Sequence, residues 1–230
     1  MGEYSEVSGI KVLDRAVAIM LTAANRPSTL SDLCEETGLP RATVHRLATA
    51  LEAHHILART ADGRWTAGPV LPSNRDRLVK AARPVMERLR DTFGESVQLY
   101  QHTGDTRTCV ASVEPESGLH NVVPPGRELP LSSGSAARVI AAFENTSAAD
   151  IPGARFDDAA LDEARANGYS WSIEEREAGL ASISAPVINE QGTLMAVLSI
   201  SGSAGRFRPD PPKKFAQALV KAAAEIGALM

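Results

Sequence analysis

Hydrogen-bond donors crowd the stretch PRATVHRLAT, where Arg41, Thr43, His45 and Arg46 lie close together. Guanidinium groups pair in a bidentate manner with guanine edges or with phosphates, and Thr and His side chains can bond to either. A second basic set, Arg59 and Arg64, flanks the dipeptide Asp62-Gly63. A third set is rich in hydroxyls rather than charge: Ser132, Ser133 and Ser135 around Gly134, then Ser182 and Ser184, then Ser199 and Ser201. The first two sets suit an extended polyanion, and the third suits a small polar molecule. What each can do depends on the elements that hold it in place.

Around the first set, STLSDLCEETGLPRATVHRLATALEAHH carries two short helical patterns joined by a glycine turn. One spans 30–37, with Ser28, Thr29 or Ser31 as N-cap and Gly38 as the stop. The next opens at Leu39-Pro40, since proline suits a first helical position whose N–H would be unbonded anyway. Val44, Leu47, Ala48 and Leu51 share one face, leaving Arg41, Thr43, His45, Arg46 and Thr49 for the rest. A short helix, a glycine turn and a helix opening with Arg and Thr make a helix-turn-helix with its recognition helix. Upstream, 10–24 forms a helix whose stripe is Val12, Leu13, Ala16, Ile19, Met20 and Ala23, ended by Asn25-Arg26-Pro27. Downstream, ILARTADGRWTAGPVL reads as a hairpin around Asp62-Gly63, a wing that brings Arg59, Thr60 and Arg64 toward a phosphate or minor groove. Trp65 is expected to pack this wing onto the helices.

The hydroxyl set points to a pocket built from three pieces: 129–137 (LPLSSGSAA), 179–184 and 198–202 (LSISG). Small residues opening a helix leave backbone N–H groups free, and these with the helix dipole favour a carboxylate. Ser199 and Ser201 share strand parity, so both face one way and Ile200 the other. Ser133 as an ordinary N-cap, and Ser199 and Ser201 as a solvated strand face, are the plain alternatives.

Other chemistries find little support. SSGSA is not a nucleophile elbow, and phosphate-loop and dinucleotide fingerprints are missing. Glu174, Glu175 and Glu177 beside Arg176 read as a solvated turn, while Tyr100 and His102 are same-face strand residues with no assigned task. No Cys/His cluster has zinc spacing, so neither cofactor nor metal is expected, nor an enzyme. Cys34 and Cys109 are expected to be free thiols. The N-terminus MGEYSEVSGIK has no signal-peptide pattern, and with no apolar run of spanning length a cytoplasmic chain is expected. The formal net charge of −4 excludes a protein that coats nucleic acid indiscriminately, so DNA binding must rest on a local basic face.

Residues 73–92 read as a connecting helix, interrupted or kinked at Pro84. After it come a hairpin around Gly104-Asp105, a short strand or extended loop at LHNVVPPG, and helices over 133–144 and 158–167. Three further strands (YSWS, LASISAPVIN and LMAVLSISG) and a final helix over 212–229 follow. The fold class is α+β, organised as 1–71 (DNA-binding), 72–93 (linker helix) and 94–230 (a mainly antiparallel sheet domain).

Taken in order, SGIKVLDRAVAIM, LSDLCEETGLPRATVHRLATALE, ADGRWTAGPVL, LPLSSGSAARVIAAF, GYSWSIEEREAGLASISAPV and LMAVLSISG resemble the IclR family of bacterial transcriptional regulators along nearly the whole chain. The stretch GESVQLYQHTGDTRTCVASVEP adds a finer similarity to an actinobacterial branch tied to amino-acid, notably leucine, biosynthesis. The resemblance implies a winged helix-turn-helix and a GAF-like effector-binding domain, assembled as a dimer or dimer of dimers on a double-stranded operator. It places Arg41, Thr43 and Arg46 toward the major groove and Arg59 and Arg64 near the backbone. The family's ligand positions fall on Leu129, Gly134, Ser135, Leu180, Ser182, Ser199 and Ser201, with a small organic or amino acid as effector. Ser172 stands where several members carry an acidic residue, and the connection Gly68-Pro69-Val70-Leu71 is short.

Overall fold

The computed structural model describes residues 8–70, 74–116 and 121–230, and the chain divides into two compact units between Arg77 and Leu78. The predicted residues MGEYSEV and the end of the short connection, Leu71 to Ser73, lie outside the described residues.

The first unit is α1 (Lys11–Asn25), α2 (Leu30–Thr37), α3 (Arg41–Ala53) and the hairpin β1 (Leu57–Arg59) with β2 (Trp65–Ala67). Thr29 is the N-cap of α2: its hydroxyl accepts from the Asp32 N–H at 3.2 Å, and the Asp32 carboxylate accepts from the Thr29 N–H at 2.8 Å. This reciprocal pair satisfies two otherwise unbonded donors. Gly38 closes α2 in the left-handed region, φ 66°. Pro40 sits one position earlier than expected, as the N-cap of α3, where its extended ψ of 139° turns the chain into the helix.

Ile19, Ala23, Leu33, Val44, Leu47, Ala48, Leu57 and Trp65 form the core of this unit. Trp65 also exchanges both backbone hydrogen bonds with Ser28, each 2.8 Å, so the hairpin is stitched to the connection between α1 and α2. Gly68 lies so close to the end of α3 that an added Cβ would stand 2.2 Å from the His55 carbonyl oxygen. The expected α1 stripe divides in two. Ile19 and Ala23 are buried, whereas Val12 and Leu13 join Ile10, Val17 and Leu21 as exposed apolar residues.

The second unit contains α4 (Asn74–Phe93) from Leu78 onward. There follow β3 (Ser96–Thr103), β4 (Thr106–Val113), β5 (Glu128–Pro130), α5 (Ser135–Phe143), α6 (Asp158–Asn167), β6 (Ser170–Ile173), β7 (Leu180–Ile188), β8 (Leu194–Ser203), α7 (Ala204–Phe207) and α8 (Gln217–Gly227). The strands form one antiparallel sheet in the order β5-β4-β3-β8-β7-β6. Leu78, Ala82, Val85, Met86 and Leu89 of α4 pack with α8 on one face. Helix α5, backed by α6, covers part of the other. The predicted linker helix is thus mostly part of this core, and it runs uninterrupted past Pro84, which is exposed. Within LHNVVPPG, Asn121 to Pro124 form no strand, Leu119 and His120 lie outside the described residues, and the short edge strand is β5 instead.

Parity along β7 and β8 separates the faces: Ala181, Ile183, Ala185 and Val187 with Leu198 and Ile200 enter the α4–α8 core. Ser182, Ser184, Ser199 and Ser201 take the opposite face. Neither Cys34 nor Cys109 is in a disulfide, and the latter is fully buried. Among the described residues no helix is long and apolar enough to cross a membrane.

Trp65→Ala is expected to cost about 3–5 kcal/mol, the usual range for removing a buried Trp. Urea unfolding followed by circular dichroism would then show an early transition for the first unit, with the transition of the second unchanged.

Candidate nucleic-acid interface and ligand pocket

Helix α3 buries Val44, Leu47 and Ala48 and leaves Arg41, His45, Arg46 and Thr49 exposed, with Thr43 half-buried beside them. Arg46 has no ion-pair partner among the described residues, and Arg41 makes only a 3.5 Å contact to the Ser31 hydroxyl. Their charges are available to an incoming polyanion.

The wing arginines are differently placed. The Arg59 guanidinium lies 3.8 Å over the Trp65 ring and 3.6 Å from the Glu52 carboxylate. Arg64 is held by Asp62 at 2.9 Å, and Asp62 is also bonded by the Thr60 hydroxyl. Those bonds, that from Thr60 first, keep the Asp62 carboxyl below its ordinary range. Both wing arginines are exposed at the hairpin, but each already has an acidic neighbour.

In the second unit, Gly134, Ser135, Leu180, Ser182, Ser199 and Ser201 line one cavity of about 20 Å³. Leu129 does not line it; its half-buried side chain packs near Tyr100, Cys109 and α5. Ser199 and Ser201 are buried, not a solvated face. The hydroxyls form a connected set. Ser135 Oγ lies 2.7 Å from Ser182 Oγ and 2.8 Å from Ser184 Oγ, and Ser184 donates to Ser199 at 3.0 Å. Ser201 donates to Gln98 Oε1 at 2.8 Å and accepts from Asn121 Nδ2 at 2.9 Å. Gly134, at φ 92°, is the N-cap of α5, so Ser133 does not serve as the cap.

Two of the backbone donors at the start of α5 already have partners. Gly134 N–H donates to Glu175 Oε1 at 2.8 Å, and Ser135 N–H to Ser172 Oγ at 3.1 Å. Glu175 pairs with Arg138, and its carbonyl accepts from Arg155 at 2.7 Å. The expected solvated turn is therefore only partly so: Glu174 meets Arg208 at the surface, but Glu175 is drawn inward.

Tyr100, Arg107, Asn121, Ala136, Ser172 and Arg176 complete the lining. Burial, with a further push from Cys109, raises the Tyr100 phenol to about 12. Burial likewise brings the Arg107 guanidinium down to about 10. His102 turns elsewhere, 2.6 Å from Glu144 beside a separate cavity. Arg107 reaches the pocket face because β4 carries a bulge. Tyr100 pairs with Cys109 and Leu99 with Ala111, leaving Val110 as the extra residue.

Comparison with known proteins places both units in one family. The pattern described as "IclR helix-turn-helix domain" matches residues 12–61, and "Bacterial transcriptional regulator IclR C-terminal" matches 73–151 and 158–228. The HTH-type transcriptional regulator KipR of Bacillus subtilis is 31% identical, over 87% of this chain and 89% of its own. The HTH-type transcriptional repressor AllR of Klebsiella pneumoniae is 29% identical, over 90% and 85%. The crystal structure of an IclR-family putative transcriptional regulator from Rhodococcus sp. superposes with a TM-score of 0.64 at 29% identity, covering 100% of this chain and 97% of that one. An IclR homologue from Microbacterium hydrocarbonoxydans complexed with 4-hydroxybenzoate has the same fold, with a TM-score of 0.59 at 23% identity over 94% and 97% of the two chains. With a winged helix-turn-helix in front of an antiparallel sheet unit, and family patterns matching both, the chain belongs to the IclR family of DNA-binding transcriptional regulators.

Proposed function

We propose that the protein is a homo-oligomeric, cytoplasmic repressor whose operator affinity is set by a small carboxylate-bearing metabolite. The observation that carries this reading is the division of labour between the units. One presents Arg41 and Arg46 on an exposed helix face, and the other encloses a hydroxyl-lined cavity. Repression is supported by the relative AllR, a named repressor, and a carboxylate effector by the 4-hydroxybenzoate held by the homologue of the same fold. Amino-acid biosynthesis, with leucine as the proposed branch, rests on the similarity carried by residues 94–115.

In this reading Arg41, Thr43, His45 and Arg46 read the major groove, and Arg59 and Arg64 position the wing on the backbone. The exposed apolar stripe of α1, Ile10, Leu13, Val17 and Leu21, receives the same stripe of a second copy. Ligand binding would be coupled to operator binding by about 1–3 kcal/mol, the usual size of such effects.

A second reading is favoured by one observation: a cavity of about 20 Å³ holds a single water. The sheet unit would then serve assembly alone, and the regulator would be independent of ligand. Thermal shift against organic and amino acids separates the two. A stabilising acid supports the sensor, and a flat response in a protein that binds its operator supports the scaffold.

On an operator selected from random-sequence DNA, Arg46→Ala should lose about 1–3 kcal/mol of specific binding, with far less loss on random duplex. Equal losses on both would remove Arg46 from base readout. Val17→Asp should shift the protein toward a smaller species in sedimentation velocity; an unchanged oligomer would place the interface elsewhere.

A further inference from the structure

The sequence leads one to seat a ligand carboxylate at the start of α5, but the protein takes two of that seat's backbone donors from within. Glu175 takes the Gly134 N–H, Ser172 takes the Ser135 N–H, and the Glu175 charge is balanced by Arg138. A second carboxylate brought there would face Glu175 directly.

The β4 side of the pocket is different. Arg107 is 2% exposed, and its Nη1 donates to the Pro130 carbonyl oxygen. Its Nε is buried without a hydrogen-bond partner. Its Nη2 stands 3.3 Å from the point where a Cβ on Gly134 would lie, so the guanidinium faces the glycine that caps α5. Arg176, half-buried, lines the same cavity. Neither arginine has a carboxylate within salt-bridge distance among the described residues. Glu175 acts on Arg107 only from beyond salt-bridge distance, and a buried guanidinium without a paired carboxylate costs stability that a bound anion restores.

We propose that Arg107 and Arg176 form the carboxylate subsite of the pocket, for a short hydroxy- or oxo-acid whose uncharged oxygen meets Ser182, Ser201 and Asn121. This rests on the sensor reading above and fixes which way round the ligand lies. Asn121 and Leu180 also line an outer cavity of about 470 Å³, so they form the partition between it and the inner 20 Å³. The Asn121–Ser201 hydrogen bond is the contact a ligand must replace to join the two. Arg107 offers the planar fork that carboxylates match in bidentate fashion, with Arg176 adding charge from the turn before β7.

The test uses the full-length protein with lactate, pyruvate and malate as probes and lactamide as the uncharged control, read by thermal shift and calorimetric titration. At least one acid should stabilise the protein and lactamide should not. Arg107→Gln should weaken that acid by about ten-fold or more, the loss of a charge-assisted bidentate contact. Arg107→Lys, which keeps the charge and loses the fork, should fall between the two, and Arg176→Gln should weaken the acid by a smaller factor. Without ligand, Arg107→Gln should melt no lower than the wild type, whereas a purely structural arginine would lower the melting temperature when replaced.

Unchanged acid binding in Arg107→Gln would take the carboxylate away from this arginine and overturn the subsite while leaving the sensor intact. Equal stabilisation by lactamide would overturn it as well. If none of the probe acids acts on a protein that still binds its operator, the subsite and the sensor reading fall together.

Discussion

The antiparallel register of β7 on β8 is the constraint on which the second unit depends. Ser182 faces Ser201 and Ser184 faces Ser199 across the ladder, and Ile183 faces Ile200 one step between them. Side chains alternate strictly along a strand, so this one alignment sends the branched apolar residues to α4 and α8 and gathers the hydroxyls beneath α5. A slip of one residue would put Ile183 in the pocket and serines in the core. The pocket's chemistry and the unit's stability are therefore specified by the same register.

The first unit has a comparable joint at Trp65. Its ring fills the space between the helices, its backbone pairs with Ser28, and its ring face supports Arg59. The wing is thus aimed by a buried residue, and its cation is held against an aromatic face before any polyanion arrives. Arg41, with only a 3.5 Å contact to the Ser31 hydroxyl, and Arg46 have no such restraint.

Much of this was legible in the chain because local chemistry dictated it. Helix α2 begins and ends where Thr29 and Gly38 say it must, since a capping side chain and a left-handed glycine act within a few bonds. The strand parity of Ser199 and Ser201 was likewise readable. Arg107 was not. Strict alternation through TRTCVASV puts Arg107, Cys109, Ala111 and Val113 on one face, and only the bulge at Val110 turns the first pair toward the pocket. A bulge arises from the pairing of two strands, so one strand's pattern does not announce it. Glu175 and Arg176 were hidden for a related reason: in a turn crowded with charge, composition does not tell which side chain points inward. Leu129 fails in the other direction, as a hydrophobic residue beside the pocket sequence that packs against core instead.

The hydroxyl set has a property that a wall of amides or carboxylates would lack. Each serine carries a single proton, and Ser184 gives its own to Ser199, so Ser135 must donate to Ser184, Ser182 to Ser135 and Ser172 to Ser182. Turning one hydroxyl obliges its neighbours to turn, because a proton given in one direction cannot also be given in the other. The row therefore behaves as a chain of compass needles laid across β6, α5, β7 and β8. The row points from Ser172 to Ser199, so a guest that offers a proton at the Ser172 end leaves every hydroxyl as it stands, and one that demands a proton there must turn the whole row, with every heavy atom where it was.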